Sequence, residues 1–241
     1  MNRRRINGVF FDLGWTLEQP KDDDWVLTSC FFEHVGRERF YAIDAEKRLD
    51  AIARATRPLY ERHLMRTTEE ENRRFTEFYT DLNQFLSLQL SDEAINQIAY
   101  DHTYNFSNYL VFDSTLKTLQ KLKELGYKIG VISDTWPSTV PQQEEAGLWP
   151  YYDCTTLSCF LGVMKPNPRM YEDALSKMGL PAEETVYVDD LTMSLDAAGK
   201  FGINGILSTA QTGVTHHKDY PCIQQPEGIF AVLNELNGGV L

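Results

Sequence analysis

Three acidic residues stand where short apolar stretches of the chain end: Asp12 after Gly-Val-Phe-Phe, and the adjacent pair Asp189 and Asp190 after Thr-Val-Tyr-Val. Two neighbouring carboxylates in a partly buried place repel one another unless a cation is present. Carboxylate oxygens are the ligands that Mg²⁺ takes in proteins. The pair therefore indicates a divalent-cation site, whereas an aspartate in the position of Asp12, taken alone, is more often a helix cap than a catalytic residue.

The stretches that carry these acids have the composition of strands buried on both faces of a sheet. Residues 8–12, 128–133 and 185–189 are brief runs of mainly β-branched, aromatic and other apolar residues. Such runs are typical of parallel strands covered by helices. Weaker strands near 152–157 and 205–208 would bring the sheet to five.

Helical stretches lie between these strands. One has leucines three residues apart and ends at Gly126, the leucines being Leu116, Leu119, Leu122 and Leu125. Another starts at Pro168, a residue favoured in the first turn of a helix, and stops at Gly179. The alternation predicts an α/β fold with a doubly wound parallel sheet. The ends of parallel strands meet at one edge, so Asp12 and Asp190 should lie close together.

The segment 20–108 has a different pattern. Its apolar residues recur at helical spacing in four blocks, near 25–41, 44–65, 68–86 and 92–106. Thr67 opens a capping-box signature for the third block, and Ser91 can cap the fourth. We therefore expect a helical domain at 20–108, inserted into an α/β core made of 1–19 and 109–241.

Composition limits the classes of partner. With 23 Lys+Arg against 35 Asp+Glu the net charge is −12, which disfavours nucleic acid and anionic membrane surfaces. No segment approaches the roughly 20 apolar residues that span a bilayer. The four cysteines form no Cys-x-x-Cys pair and have no histidine at zinc-ligand spacing, which predicts reduced thiols and a cytoplasmic location. The sequence carries no indication of oligomeric state.

Taken in order, these features resemble the four motifs of the haloacid-dehalogenase-like hydrolases. In that superfamily a first strand ends in Asp-x-Asp-x-Thr, a second ends in Ser or Thr, a lysine follows, and a further strand ends in paired acids. Here the corresponding residues are Phe11-Asp-Leu-Gly-Trp-Thr-Leu17, Ser133, Lys165 within Gly-Val-Met-Lys-Pro, and Val188-Asp-Asp190. The resemblance covers essentially the whole chain. Within the superfamily, the chain is similar to the subgroup that has a helical cap inserted after the first motif.

The resemblance implies an Mg²⁺ site at the acids. Asp12 would be both the nucleophile and a metal ligand. Asp190 would bind the ion directly and Asp189 through water or from the next sphere. The backbone carbonyl of Gly14 would complete the protein's ligands.

The resemblance also implies a binding place for the phosphoryl group of a phosphorylated small molecule. Ser133 and the backbone amides of Asp134 and Thr135 would hydrogen-bond phosphate oxygens, together with the motif residue Thr16. Lys165 would neutralise the remaining negative charge and keep the nucleophile ionised.

Two positions depart from the pattern of the family. Its phosphatases usually carry a second aspartate two residues after the nucleophile, as general acid and base, where this chain has Gly14. A general acid typically contributes about 10²- to 10⁴-fold to the rate. The acid or amide often found four residues after the last motif is replaced by Ser194, which weakens outer hydrogen bonding and removes no direct ligand.

Three functions remain open on the sequence. The first is a phosphohydrolase that uses water, a good leaving group, or a group from the insertion in place of the missing acid. The second is a metal- and phosphate-binding regulatory protein with little turnover. The third is a phosphonate hydrolase that forms an imine with an insertion lysine, either Lys21 or Lys47.

Overall fold

The computed structural model describes residues 5–22 and 24–239. The chain forms two compact units. One contains the chain up to Gln19, Val111–Thr135 and the chain from Val140 on, and the other contains Pro20–Leu110 and Trp136–Thr139. The short segment Trp136–Thr139 thus groups with the helical residues, although the predicted boundaries assign it to the α/β core.

The first unit is built on a parallel sheet. The strands of the described residues are β1 (Gly8–Phe11), β2 (Glu18–Pro20), β3 (Tyr109–Val111), β4 (Lys128–Ser133), β5 (Cys154–Leu157), β6 (Thr185–Asp189), β7 (Asn204–Ser208) and β8 (Cys222–Ile223). Six form one sheet in the order β5-β4-β1-β6-β7-β8, with every neighbouring pair parallel, while β2 and β3 pair with each other. The predicted doubly wound α/β fold is confirmed. The sequence predicted five of these six strands. It did not predict β8, because a strand of two residues is too short to show a strand pattern.

Strand β1 lies at the centre of the sheet, where the order of the strands reverses. Phe11 is opposite Val131 of β4 on one side and Val188 of β6 on the other. The chain continues outward from β4 to β5 and then returns to β6 on the far side of β1. In doubly wound sheets the carboxyl ends of the strands at such a point form the ligand site.

Helices α1 to α5 belong to the second unit: α1 (Ser29–Val35), α2 (Arg37–Tyr41), α3 (Ala45–Glu61), α4 (Thr68–Leu86) and α5 (Asp92–Tyr104). Thr67 caps α4 by accepting a hydrogen bond from the Glu70 amide at 3.2 Å, and Ser91 caps α5 by accepting one from the Ala94 amide at 3.2 Å. Their interior is aromatic, with fully buried rings from Phe31, Phe40, Phe75, Phe78 and Tyr79.

The remaining helices are α6 (Thr115–Glu124), α7 (Thr139–Glu145), α8 (Ser158–Leu161), α9 (Pro168–Met178), α10 (Thr192–Gly199) and α11 (Ile229–Leu236). Val9 and Phe11 of β1 pack in one apolar cluster with residues of α6 and α11. Phe10 packs in another cluster with residues of α9 and α10. Helices therefore cover both faces of the sheet, which is why β1 is apolar throughout.

The four leucines spaced three residues apart at α6 differ in burial. Leu119 and Leu122 are buried, whereas Leu116 is 38% exposed and Leu125 is 41% exposed. A step of three residues turns a helix by about 300°. Four leucines at that spacing drift around the helix, so that only the middle two face the core.

Among the helices of residues 5–22 and 24–239, none combines the length and the hydropathy that crossing a bilayer requires.

Candidate active site

The sheet brings the three predicted acids together. Asp12 directly follows β1, Asp189 ends β6, and Asp190 follows it. The register that sets Phe11 opposite Val188 continues by one residue, and the Asp12 amide donates to the Val188 carbonyl at 2.8 Å. One carboxylate oxygen from each acid lies within 4.8 Å of the others.

Lys165 lies among these carboxylates. Its Nζ is 2.7 Å from Asp189 Oδ2 and 3.1 Å from Asp12 Oδ1, and its side chain is 3% exposed. Burial lowers the pKa of Lys165, but the charges of Asp12, Asp189 and Asp134 together raise it above its usual value. The ammonium therefore stays protonated, and it offsets one of the negative charges at this edge of the sheet.

Asp189 is fully engaged by hydrogen bonds. Its Oδ1 accepts from the Leu191 amide at 2.7 Å, and its Oδ2 accepts from both Lys165 Nζ and the Tyr187 hydroxyl. The side chain is completely buried. These bonds fix the orientation of Asp189, and most of its lone pairs accept hydrogen bonds from the protein.

The negative charges of Asp12 and Asp190 are less well balanced than that of Asp189 by nearby positive charge and hydrogen-bond donors. Burial raises the pKa of Asp12, an effect that Lys165 and a hydrogen bond from Ser133 oppose. Burial, followed by the charges of Asp12 and Asp189, raises the pKa of Asp190 to about 7. Both carboxyl groups would be more stable as anions if further positive charge were present.

A divalent cation fits this donor set. Three carboxylates face a single ammonium, which leaves an excess of two negative charges when all are ionised. Within the described part of the chain, Asp12 Oδ1 is a buried oxygen that accepts no well-directed hydrogen bond. Oxygen donors of this kind suit Mg²⁺ or Ca²⁺ rather than the thiophilic transition metals.

The turn after β4 lies beside Asp12. Ser133 is 2% exposed and its hydroxyl hydrogen-bonds the Asp12 carboxylate. Burial raises the pKa of Asp134 to about 6, and Asp134 Oδ1 accepts from the Lys165 amide at 2.9 Å. Ser133 and Asp134 thus belong to the same cluster as the acids, and their binding of phosphate oxygens stays a prediction.

The predicted role of the Thr135 amide needs correction, because this amide already has a partner. It donates to Ser158 Oγ at 2.8 Å. Ser158 follows Leu157, the residue opposite Ser133 in the neighbouring strand β5. No local sequence pattern predicts this bond, because the two residues are 23 positions apart.

The turn after β1 contains two unusual features. Trp15 has a φ of 52°, which is rare for a residue with a side chain, and Ser208 Oγ donates to its carbonyl at 2.6 Å. The hydroxyl of Thr16 is buried and has no hydrogen-bond partner among the described residues. A ligand oxygen at this edge of the sheet would satisfy such a group.

Glu18 is a buried acid that sequence reasoning did not single out. It is 4% exposed, and its carboxylate accepts from Gln142 Nε2 at 2.5 Å and from Gln143 Nε2 at 2.9 Å. Burial raises its pKa to about 7, the two amides oppose this, and the charge of Asp12 adds to it. Its only signal in the sequence is its position six residues after Asp12.

Ser194, the second departure from the family pattern, is 1% exposed, and its Oγ has no hydrogen-bond partner in the described chain.

Comparison with known proteins agrees with this arrangement. Residues 8–202 match the family described as haloacid dehalogenase-like hydrolase. The chain is 30% identical over 191 residues to the glyceraldehyde 3-phosphate phosphatase of Methanocaldococcus jannaschii, covering 77% of this chain and 76% of that protein.

Solved structures share the fold at lower identity. A HAD phosphatase from Thermococcus onnurineus aligns with a TM-score of 0.64 and 18% identity, covering 95% of this chain and 98% of the other. A 2-haloacid dehalogenase from Pseudomonas syringae aligns with a TM-score of 0.64 and 18% identity, covering 95% and 99%. The fold is thus common to phosphatases and dehalogenases. With its parallel sheet, its carboxylates around Lys165 and its match over residues 8–202, the chain belongs to the haloacid-dehalogenase-like hydrolases.

Proposed function

We propose that the protein is an Mg²⁺-dependent phosphatase of phosphorylated small molecules, with Asp12 as the nucleophile. The observation that carries this proposal is the excess of carboxylates around Lys165, because three acids within 4.8 Å fit a divalent cation. Dehalogenation has no need of such a metal site. The curated relative named above is a phosphatase of a phosphorylated small molecule, which supports the same choice.

In the proposed reaction, an oxygen of Asp12 attacks phosphorus while the bond from phosphorus to the leaving oxygen breaks. Water then hydrolyses the aspartyl phosphate and restores the carboxylate. Mg²⁺, held by Asp12, Asp190 and the Gly14 carbonyl, would neutralise charge on the phosphoryl group. Asp189 would act from the next sphere, because its oxygens are already bonded to Lys165, Tyr187 and the Leu191 amide.

The remaining groups hold the anionic phosphoryl group and the nucleophile. Lys165, 3.1 Å from Asp12, favours the ionised carboxylate and offsets the charge of the substrate. Ser133, Thr16 and the Asp134 amide are the donors that we assign to phosphate oxygens. We assign substrate selection to the helical insertion 20–108, as a cap domain that follows the nucleophile in the sequence.

Gly14 carries no proton donor for the leaving oxygen. The barrier should therefore depend strongly on how well the leaving group departs without protonation. Aryl and acyl phosphates should react faster than alkyl phosphates such as glyceraldehyde 3-phosphate, by about 10²-fold or more if a general acid is missing.

The test is kcat/KM for p-nitrophenyl phosphate, acetyl phosphate and glyceraldehyde 3-phosphate, each with Mg²⁺ and with EDTA. We expect hydrolysis only with Mg²⁺, a steep dependence on the leaving group, and a selective gain for the alkyl ester in Gly14→Asp. Circular dichroism confirms the fold of the variant.

Three results would contradict parts of this proposal. Hydrolysis that persists in EDTA would exclude the metal role. Equal rates for alkyl and aryl esters, with chemistry rate-limiting, would mean that another residue donates the proton. Mg²⁺ binding without turnover of any ester would favour the regulatory function over the enzymatic one.

A further inference from the structure

The Glu18 side chain is buried without a cationic partner among the described residues. Two neutral amides, from Gln142 and Gln143 of α7, satisfy its carboxylate, and Gln143 Oε1 accepts from the Tyr152 hydroxyl at 2.8 Å. An apolar residue of similar volume is often as stable as a buried charged group or more so. Core stability therefore does not explain why a carboxylate stands here.

The backbone of the same residue closes the turn after the nucleophile. The Trp15 amide donates to the Glu18 carbonyl at 2.7 Å, and the Glu18 amide donates to the Leu13 carbonyl at 3.1 Å. Because Trp15 has a φ of 52°, which is unfavourable for a residue with a Cβ atom, this turn needs restraint from outside. Glu18 supplies it on one side and the Ser208 hydroxyl, bonded to the Trp15 carbonyl, on the other.

These bonds also set the direction of the Gly14 carbonyl. The Trp15 amide and the Gly14 carbonyl belong to one planar trans peptide, in which the two groups point in opposite directions. An amide aimed at the Glu18 carbonyl therefore turns the Gly14 carbonyl away from Glu18. Gly14 and Glu18 form an isolated parallel bridge. Its two hydrogen bonds join Glu18 to the Leu13 carbonyl and to the Trp15 amide, so the bridge uses neither the amide nor the carbonyl of Gly14.

We propose that Glu18 is a positioning residue that holds the turn after Asp12 in the shape a divalent cation requires. The carboxylate ties the turn to α7 through Gln142 and Gln143, while the carbonyl of the same residue fixes the peptide between Gly14 and Trp15. This inference rests on the proposed function in one respect, namely that Asp12 and the Gly14 carbonyl bind Mg²⁺.

Loss of the anchor should reduce metal affinity without removing a ligand. Outer groups that orient metal ligands typically contribute about 10- to 100-fold to affinity. Glu18→Leu, which abolishes both amide contacts, should weaken Mg²⁺ binding in that range. Ser208→Ala removes the restraint on the other side of the turn, without altering a buried charge, and should weaken binding in the same direction. Glu144→Gln, an exposed change on the same helix, is the matched control and should bind Mg²⁺ like the wild type.

The experiment combines two measurements on the full chain. Calorimetric titration with MgCl₂ gives the affinity, and hydrogen exchange of the Trp15 and Glu18 amides in EDTA reports the turn without any metal. Positioning by Glu18 predicts faster exchange of both amides together with weaker Mg²⁺ binding in Glu18→Leu and Ser208→Ala.

The outcomes separate the two proposals. Wild-type protein that fails to bind Mg²⁺, but whose turn amides exchange faster in the variants, would contradict the metal site and keep the anchoring role. Unchanged exchange and unchanged affinity in folded Glu18→Leu would overturn the inference. If Glu18→Leu does not fold, Ser208→Ala decides, since wild-type exchange and affinity in that variant would also overturn it.

Discussion

In the α/β unit, buried carboxylates gather at one edge of the sheet around Lys165, whereas Glu71 is the single buried acid among the described residues of the helical unit. Glu71 is fully buried and forms no ion pair within the described chain. Its two oxygens accept from the amide of Ser138 at 2.7 Å and from the hydroxyl of the same residue at 2.6 Å.

The two arrangements differ in what stabilises the charge. Burial, and then repulsion from Asp12 and Asp189, raise the pKa of Asp190 to about 7, so that a cation at this place would be bound with a gain in free energy. Burial alone raises the pKa of Glu71 to about 8, against the two bonds from Ser138. Glu71 is therefore mainly neutral at neutral pH and acts as a hydrogen-bonding group that fastens Trp136–Thr139 to α4. The contrast indicates that the clustered acids favour binding of a cation, whereas Glu71 stabilises the fold through hydrogen bonds.

The largest expected effect comes from removing the nucleophile. Asp12→Asn should reduce kcat/KM by about 10⁴-fold or more, as removal of a nucleophile commonly does, while the protein stays folded because a repulsive charge is lost. Glu71→Gln should change kcat/KM little. Steady-state kinetics with p-nitrophenyl phosphate and thermal unfolding measure both. A comparable loss in the two variants would remove the functional contrast between the units.

A smaller effect is expected from Asp190→Asn. This variant should weaken Mg²⁺ binding by about 10- to 100-fold, because a direct oxygen ligand loses its charge. In EDTA at pH 8 it should unfold at a higher temperature than the wild type, since the repulsion with Asp12 and Asp189 is relieved. Calorimetry and thermal unfolding give the two quantities. Unchanged Mg²⁺ affinity would refute the assignment of Asp190.

The smallest effect on activity is expected at Glu71, whose contribution appears instead in the pH dependence of stability. A carboxyl whose pKa rises from 4.5 to about 8 on folding keeps a proton that the unfolded chain has released, so the stability of the fold falls as the pH rises between these values. The limiting slope is about 1.4 kcal/mol per pH unit. The wild type should therefore lose stability relative to Glu71→Gln between pH 5 and pH 8, by on the order of 3–4 kcal/mol.

Urea unfolding at several pH values measures this difference. Asp81→Asn, on the same helix and only partly buried, is the control and should follow the wild type at every pH. Parallel stability profiles for the wild type and Glu71→Gln would show that Glu71 is ionised in the folded protein, and the contrast between the two units would then disappear.

The sequence by itself determined the elements whose signals are local. Strands β1, β4 and β6 follow from short apolar runs, and α4 spans Thr68–Leu86 as its spacing predicts. Asp12 and Asp190 were predicted to meet because parallel strands share an edge, and the structure brings them together at that edge. Such inferences need only the periodicity of one segment and one rule for joining segments.

Only the tertiary structure decided the contacts between residues far apart in the chain. The carboxylate of Glu18 meets Gln142 across 124 positions, Ser138 meets Glu71 across 67, and Ser158 occupies the Thr135 amide across 23. No local pattern predicts these pairs, because each of these residues belongs to a polar type that is common on protein surfaces. Their burial and their partners follow from how the elements pack, and packing is a property of the whole fold rather than of any one segment.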